Sequence, residues 1–300
     1  MLKIAYHPIY THPLPEGHRF PMIKYELLPK QLLHEGTCSK ENFFKPQIPD
    51  ASAILEVHTQ EYHKELTELA LDRKSIRKIG FPLSQELVDR EVIIADGTIK
   101  ASEYAIEYGI AMNIAGGTHH AYTNRGEAFC LLNDQAIGAK HLINQGLAKK
   151  ILIVDLDVHQ GNGTAEIFEK NPDVFTFSMH GASNYPFKKE QSDLDIPLDN
   201  GIEDEEYLNI LKETLPRLIQ SEKPDFIYYL SGVDILASDK LGKLSCTIDG
   251  CKERDRFVLQ TCKDLSIPVM CSMGGGYSKD IKIIIEAHAN TYRLAQDIFF

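Results

Sequence analysis

The chain has 300 residues, of which 43% are hydrophobic and 25% are charged, and it contains no tryptophan. Its 32 Lys and Arg residues against 43 Asp and Glu residues give a net charge of −11, which argues against a general nucleic-acid binder, because such a protein needs a basic surface. An acidic chain is compatible with cationic substrates such as lysine-bearing peptides or polyamines, although solubility is the commoner reason for such a charge.

The distribution of cysteines and of apolar residues indicates the cellular compartment of the protein. The six cysteines are scattered without a Cys-x-x-Cys pair, and the start of the chain has no apolar stretch of signal-peptide length. These features predict free thiols in a reducing compartment, no membrane span and a cytoplasmic location. The sequence does not fix the oligomeric state.

Short apolar runs alternate with longer amphipathic runs along the chain. The predicted strands are KIAYH near the start, SAILEVH around 52–58, MNIAGG around 112–117, ILIVDLD from 151, VFTFSMH at 174–180, FIYYLSG at 226–232 and VMCSMGG at 269–275. The predicted helices span 59–71, 98–111, 131–146, 163–170, 203–221, 250–265 and 279–298. This alternation predicts an α/β fold: one three-layer domain over 1–300, with a mainly parallel sheet of about eight strands and helices on both faces.

The strand ILIV ends in the segment DLDVHQGNG, where polar residues recur at every second position. Asp155, Asp157 and His159 therefore share one face of the chain. Any one of these residues is best explained as a buried polar group whose hydrogen bonds are satisfied. That explanation fails for all three together, because unpaired buried carboxylates cost several kcal/mol. Mixed oxygen and nitrogen ligands suit zinc or another transition metal, so this strand end predicts a metal site.

A second strand end, SGVD, places Asp234 directly after an apolar run. An Asp in this position more often caps a helix. Beside Asp157 and His159 it completes a set of three ligands with an open position, which is typical of a catalytic metal site.

Two further strand ends are rich in glycine. In AGGTHHA, the turn at Gly117 lets the backbone approach a substrate, and His119 and His120 are candidates for acid–base catalysis, although two surface histidines in a loop would look the same. In SMGGGYSKD, Gly275 lies in a close-packed turn and the hydroxyl of Tyr277 could donate to an oxyanion. This glycine run lacks the Lys-Ser/Thr of a phosphate-binding loop.

Six motifs in order give a resemblance over nearly the whole chain. GGTHHA, AFCLLND, DLDVHQGNG, FSMH, SGVD and GGGY resemble the zinc-dependent histone deacetylase family, which shares a fold with the arginases. The HQGNG ending, HRFPMIKY at 18–25 and VDILASDKLGKLSCT look most like class IV of that family and its bacterial relatives. The resemblance implies a hydrolase that removes acetyl or long-chain fatty acyl groups from lysine side chains of proteins or peptides.

The resemblance also implies roles for individual residues. It implies one zinc ion bound by Asp157, His159 and Asp234, and Tyr277 as the oxyanion donor. It also implies that His119 and His120 form an acid–base pair, which Asp155 and Asn162 orient. Some family branches have Asp where this chain has Asn162. An amide orients the ring without stabilising its charge, which suits His120 as a general base.

Substrate and cation contacts follow from the same resemblance. Phe129 is implied as one aromatic wall of the acyl-lysine tunnel, the second wall falls within 181–187, and Gly117 and Gly275 are implied as substrate contacts. A structural cation, potassium, is implied near Asp155, Asp157, His159, Ser178 and Met179. Arg19 is expected to line an inner pocket through which the released acid leaves.

Three other readings remain open. A two-metal arginase-type hydrolase would need acids at Gly161 and Leu236, which offer no ligating side chain. Deacetylation of polyamines or another small acetylated amine would use the same strand ends. A non-catalytic acyl-lysine binder would be expected to have lost a ligand or Tyr277, and all are present.

Overall fold

The computed structural model describes residues 1–300, and one parallel sheet runs through it in the order β2-β1-β3-β8-β7-β4-β5-β6. Its strands are β1 (Lys3–Ala5), β2 (Phe43–Phe44), β3 (Ile110–Asn113), β4 (Ile151–Asp155), β5 (Val174–Gly181), β6 (Leu194–Leu198), β7 (Phe226–Leu230) and β8 (Val269–Ser272). Every neighbouring pair is parallel. The predicted α/β class and the parallel sheet of about eight strands are confirmed.

Ten helices surround the sheet. They are α1 (Lys24–His34), α2 (Ala51–Leu55), α3 (Gln60–Thr67), α4 (Arg73–Ile79), α5 (Gln85–Tyr108), α6 (Asp134–Asn144), α7 (Asn162–Ile167), α8 (Asp204–Glu222), α9 (Ile248–Asp264) and α10 (Ile281–Phe299). Short 3-10 turns span Pro8–Tyr10 and Lys40–Asn42. Helix starts carry side-chain caps that satisfy free backbone amides: Ser84 accepts from Leu87 N–H at the start of α5, and Thr247 accepts from Gly250 N–H at the start of α9.

The central strands are buried on both faces. All five residues of β4 and all five of β7 are buried, and because successive side chains point to opposite faces, helices must cover each side of the sheet. One apolar cluster extends from Leu2 to Ala295. We therefore propose that 1–300 folds around one core as one domain.

Several element predictions were wrong or incomplete. SAILEVH forms α2 rather than a strand, because Asp50 accepts from Ser52 N–H and so starts a helix, and Ile54 and Val57 are buried at helical spacing. The helix predicted at 98–111 is α5, which begins 13 residues earlier. Four elements were not predicted, namely α1, α4, β2 and β6.

Two composition-based expectations can be compared with the structure. All six cysteines are free and buried, as the absence of a framework predicts. No helix combines the length and apolar character that crossing a membrane requires.

The sheet order determines where chemistry can occur. Strands β3, β8, β7 and β4 lie side by side, so the polar segments that follow them meet at one edge of the sheet. Ligands of open α/β sheets bind beyond these carboxyl ends.

Candidate metal and catalytic site

Three buried side chains converge beyond the carboxyl ends of two neighbouring strands. The ligand atoms of Asp157, His159 and Asp234 all lie within 4.8 Å of one another. Asp157 and His159 follow β4, and Asp234 follows β7, which pairs with β4 in register. Carboxylates and imidazoles are both ligands that zinc takes, and three protein ligands with an open position are typical of a catalytic zinc site.

Backbone amides bind three of the four carboxylate oxygens of this centre. Asp157 accepts from His159 N–H at 3.0 Å and from Gly275 N–H at 2.8 Å, and Asp234 Oδ1 accepts from Val158 N–H at 2.9 Å. Asp234 Oδ2 is buried and makes no hydrogen bond, although it lies 3.2 Å from His159 Nδ1. A buried oxygen left without a donor fits a metal ligand, so the residues present suit zinc.

The electrostatics of the triad also favour a bound cation. Burial, and then the Asp157 carboxylate, raise the pKa of Asp234 to about 7. Burial lowers the pKa of His159, but its contacts with Asp157 and Asp234 outweigh that effect and raise the pKa to about 10. Two carboxylates forced together in a dry site repel one another, and a divalent ion between them would remove that repulsion.

The two histidines implied in acid–base work lie against this centre with different partners. His119 Nδ1 is 2.7 Å from Asp155 Oδ2, and His120 Nδ1 is 2.6 Å from Asn162 Oδ1. Asn162 in turn donates to the hydroxyl of Tyr122 at 2.9 Å. In each case the oxygen acceptor holds the proton on Nδ1 and leaves Nε2 directed elsewhere.

The different partners give the two rings different charge. Burial lowers the pKa of His119, but the Asp155 carboxylate outweighs burial, so that pKa lies above its usual value. Burial and the neighbouring charges of His119 and His159 hold the pKa of His120 well below its usual value. His120 is therefore the neutral ring of the pair.

Tyr277 lies over the same centre at the end of the glycine turn after β8. Its ring centroid is 6.4 Å from that of His159 and 6.1 Å from that of Phe129. Burial and the charges of Asp157 and Asp234 hold the pKa of its hydroxyl well above the usual value, so the hydroxyl keeps its proton and can donate. The backbone N–H of Tyr277 donates to Asp239 at 2.6 Å, which fixes the turn.

Two glycines implied as substrate contacts are required by packing. Gly117 has φ +75°, and a Cβ there would lie 2.9 Å from Gly274 Cα. At Gly275 a Cβ would lie 2.0 Å from Asp234 Oδ2 and 2.7 Å from Asp157 Oδ2. Any larger residue at 275 would displace the carboxylates of the triad.

Two connected cavities lead from the surface to this centre. The outer cavity, of about 390 Å³, is lined at the surface by Phe187, whose side chain is 94% exposed, and by Lys78. The inner cavity, of about 40 Å³, is lined by Asp157 and His159 of the triad and by the buried residues Tyr25, Arg90 and Ile94. His120, Ala128, Phe129, His159 and Tyr277 line both cavities.

Aromatic rings line the outer cavity. Phe129 and Tyr185 are both part of this lining, and the Tyr185 ring lies 5.0 Å from that of His120 in an edge-to-face contact. Tyr185 and Phe187 of the segment 181–187 both line the outer cavity, and because only the Tyr185 ring is in contact with His120, we propose Tyr185 as the second wall residue. Its hydroxyl donates to Glu127 at 2.6 Å, which holds the ring in place.

The expectation for Arg19 was wrong. Its exposed guanidinium stacks 4.9 Å over the Phe129 ring and lines the outer cavity, not the inner pocket. The cationic side chains near the inner end are Arg90 and Lys24. Lys24 is fully buried and donates to Gly274 O at 3.1 Å, and burial lowers its pKa to about 8.

The residues implied for a structural cation lie on two neighbouring strands. Asp155 at the end of β4 pairs in register with Ser178 of β5, and Met179 follows. Ser178 Oγ lies 2.9 Å from His180 Nδ1.

A buried ion pair that sequence reasoning missed lies beneath the triad. Arg254 of α9 is fully buried and donates to Gly232 O at 2.6 Å, Leu156 O at 3.2 Å and Ser231 O at 3.2 Å. Its Nε donates to Asp255 at 2.9 Å. These carbonyls lie in the segments that carry Asp157 and Asp234, so one guanidinium joins both ligand-bearing strand ends.

The fold agrees with what comparison with known proteins finds. The model of the histone deacetylase domain matches residues 18–292. An uncharacterized protein of Picosynechococcus sp. is 45% identical over 99% of both chains, and Histone deacetylase 2 of Arabidopsis thaliana is 29% identical over 92% of this chain and 74% of its own. A crystal structure of an HDAC homolog complexed with SAHA matches with a TM-score of 0.85 and 23% identity over 99% of this chain and 84% of that one, which shows the shared fold.

Replacing Arg254 by Met should lower the free energy of unfolding of the metal-free protein by about 3–5 kcal/mol, because the Asp255 carboxylate is left buried and unpaired. Urea unfolding followed by circular dichroism measures the change. The matched control is Arg256→Met on the same helix, where an exposed pair with Glu253 is lost at a cost below about 1 kcal/mol. The double variant Arg254→Met/Asp255→Asn should recover part of the loss. Equal stability of the two single variants would contradict the assignment of Arg254.

Proposed function

The chain belongs to the histone deacetylase family, and from this premise we propose that it is a zinc-dependent hydrolase that removes acyl groups from lysine side-chain amines of proteins or peptides. The observation that carries the proposal is the convergence of the buried Asp157, His159 and Asp234 side chains beside a cavity that Asp157 and His159 line. We also propose that residues 1–300 form one catalytic domain of the class IV type, on the motifs HQGNG and VDILASDKLGKLSCT.

Asp157, His159 and Asp234 would hold the zinc, which when bound supplies a Lewis acid for the amide carbonyl and acidifies a water molecule. His120 is neutral, and its Nε2 would accept the proton of the attacking water because Nδ1 is engaged by Asn162. That proton would then be available for the departing lysine amine.

The remaining residues would orient the substrate and the catalytic histidines and stabilise the charge that develops during the reaction. Asp155 orients the His119 ring through Nδ1 and would stabilise a positive charge on it beside the reacting atoms. The Tyr277 hydroxyl would donate to the oxygen of the scissile amide as negative charge develops there. Phe129 and Tyr185 would hold the methylene stem of lysine between their rings.

We further propose a potassium ion at Asp155, Asp157, His159, Ser178 and Met179. The support is the pairing of β4 and β5, which brings carbonyl and side-chain oxygens of both strands behind the catalytic centre. A cation there would fix the strand end that carries the zinc ligands.

The size of the inner cavity favours short acyl groups. About 40 Å³ holds roughly three water-sized positions, since one water needs about 10–15 Å³ of such volume. That is room for an acetyl group, and the buried Phe20, Tyr25 and Ile94 close its end. We therefore propose acetyl-lysine as the preferred substrate over octanoyl- or myristoyl-lysine.

Substituting Phe for Tyr277 should lower kcat about 10²–10³-fold, because one oxyanion donor is lost, while zinc content stays unchanged. Turnover of an acetyl-lysine peptide, measured by mass spectrometry, and metal analysis of the same sample provide the two readouts. Tyr108→Phe, at the far end of α5, is the matched control. Near-normal turnover of the Tyr277 variant would exclude this role.

Metal analysis of the purified protein should return one zinc per chain. Asp234→Asn should lose most of that zinc, because the amide is a poorer ligand at the position where Oδ2 has no other partner. Two equivalents of manganese per chain would instead favour an arginase-type site.

One lysine peptide carrying acetyl, octanoyl or myristoyl groups should be hydrolysed fastest as the acetyl form. The physical reason is the closed inner cavity, which must open before a longer chain enters. Comparison of kcat/KM for the three peptides decides the question. A higher value for myristoyl than for acetyl would overturn the preference.

A further inference from the structure

The mouth of the tunnel has the opposite charge to the chain as a whole. The outer cavity is lined by Arg19, Lys78 and Lys243 and by no Asp or Glu side chain, although acidic residues outnumber basic ones by 43 to 32 along the chain. Lys189 lies just behind this lining and donates to Asn184 O at 2.7 Å and Pro186 O at 2.6 Å. A substrate therefore meets positive charge as it enters.

The nearby carboxylates are already engaged by other groups. Glu127 lies behind the wall and contacts Lys78 at 3.3 Å, Arg125 at 3.0 Å and the Tyr185 hydroxyl at 2.6 Å. Asp239 accepts from the backbone amides of Tyr277, Leu241 and Gly242 at 2.6 to 2.9 Å. These contacts direct both carboxylates toward the protein.

Two of the lining cations have no acidic partner. Lys243 donates only to the carbonyl and hydroxyl oxygens of Ser183, at 3.0 and 3.2 Å, and is exposed. Arg19 makes no ion pair and stacks on Phe129, which places its charge at the rim. Each is free to bind an anion brought by a substrate whose acyl-lysine has entered the tunnel.

We propose that the tunnel mouth selects acyl-lysine that has a carboxylate close to it, and that Arg19 and Lys243 are the specificity-determining residues. The inference rests on the proposed deacylase function and names its substrate class. The carboxylate comes from one of two sources: an acidic side chain next to the acyl-lysine, or the α-carboxylate of a chain that ends in it. Cationic acetylpolyamines are disfavoured because like charges meet at the mouth.

The test compares kcat/KM of the zinc-loaded protein for a matched set of substrates. Three end-blocked peptides carry acetyl-lysine between two Glu, two Gln or two Arg residues, a fourth ends in acetyl-lysine with a free carboxylate, and the fifth substrate is acetylspermidine. Exposed charge pairs each change the value about two- to five-fold, so the Glu peptide should exceed the Arg peptide by about tenfold. The faster of the Glu and free-carboxylate peptides identifies the source of the carboxylate.

Charge-reversal variants and the dependence on salt concentration test whether the substrate preference arises at the tunnel mouth. Arg19→Glu and Lys243→Glu should each reduce or reverse the preference for Glu over Arg peptides, with less change for the Gln peptide. Lys212→Glu, an exposed site on α8 that makes the same change in net charge, should leave the preference intact. The preference should also shrink between 0.1 M and 1 M salt, because the screening length falls from about 10 Å to about 3 Å.

Two failures can be told apart. Equal rates for all three flanking sequences, or faster hydrolysis of the Arg peptide or acetylspermidine, would overturn the inference and leave the deacylase function standing. If no substrate is hydrolysed, the deacylase function fails, and fluorescence anisotropy of the labelled peptides then tests the mouth alone. Tighter binding of the Glu peptide, weakened by Lys243→Glu, would support the inference, and equal binding of all peptides would overturn it.

Discussion

The structure depends on one electrostatic constraint: three carboxylates are buried together at the ends of two neighbouring strands. Asp155, Asp157 and Asp234 are each at most 3% exposed, and parallel pairing of β4 with β7 brings them into one space. Isolated charges in such a place would be too costly to keep. Much of the surrounding chemistry meets this constraint, through backbone amides, an imidazole partner for Asp155 and, we propose, a cation bound between the other two.

The glycine turns and the Arg254 ion pair serve the same centre from opposite sides. Above it, Gly275 lets a backbone amide reach Asp157 where any Cβ would collide with the carboxylates. Below it, the guanidinium of Arg254 binds carbonyls from both ligand-bearing segments. The geometry of the site is therefore determined by the packing of α9 and β8 as much as by the ligands themselves.

The sequence was informative where chemistry follows local periodicity. Polar residues at every second position after ILIV predicted a shared face, and burial of Asp155, Asp157 and His159 in one place agrees with it. It was misleading where capping decides the structure, as in SAILEVH. It could not reveal Tyr185 as a wall or Arg19 at the rim, because both positions depend on how loops distant in the chain pack together.

The order of the strands has a consequence for how the protein is made. Strand β8 lies between β3 and β7, yet it comes last in chain order among the eight strands of the sheet, so these seven others are synthesised before it. Until Val269–Ser272 emerges, β3 and β7 have no common neighbour and both expose an open edge. All three proposed metal ligands are synthesised before that point, but the amide of Gly275 that binds Asp157 is not. A nascent chain therefore carries all three proposed ligands before it can form a closed site, and the proposed metal centre is completed only after β8 and the glycine turn that follows it have been made.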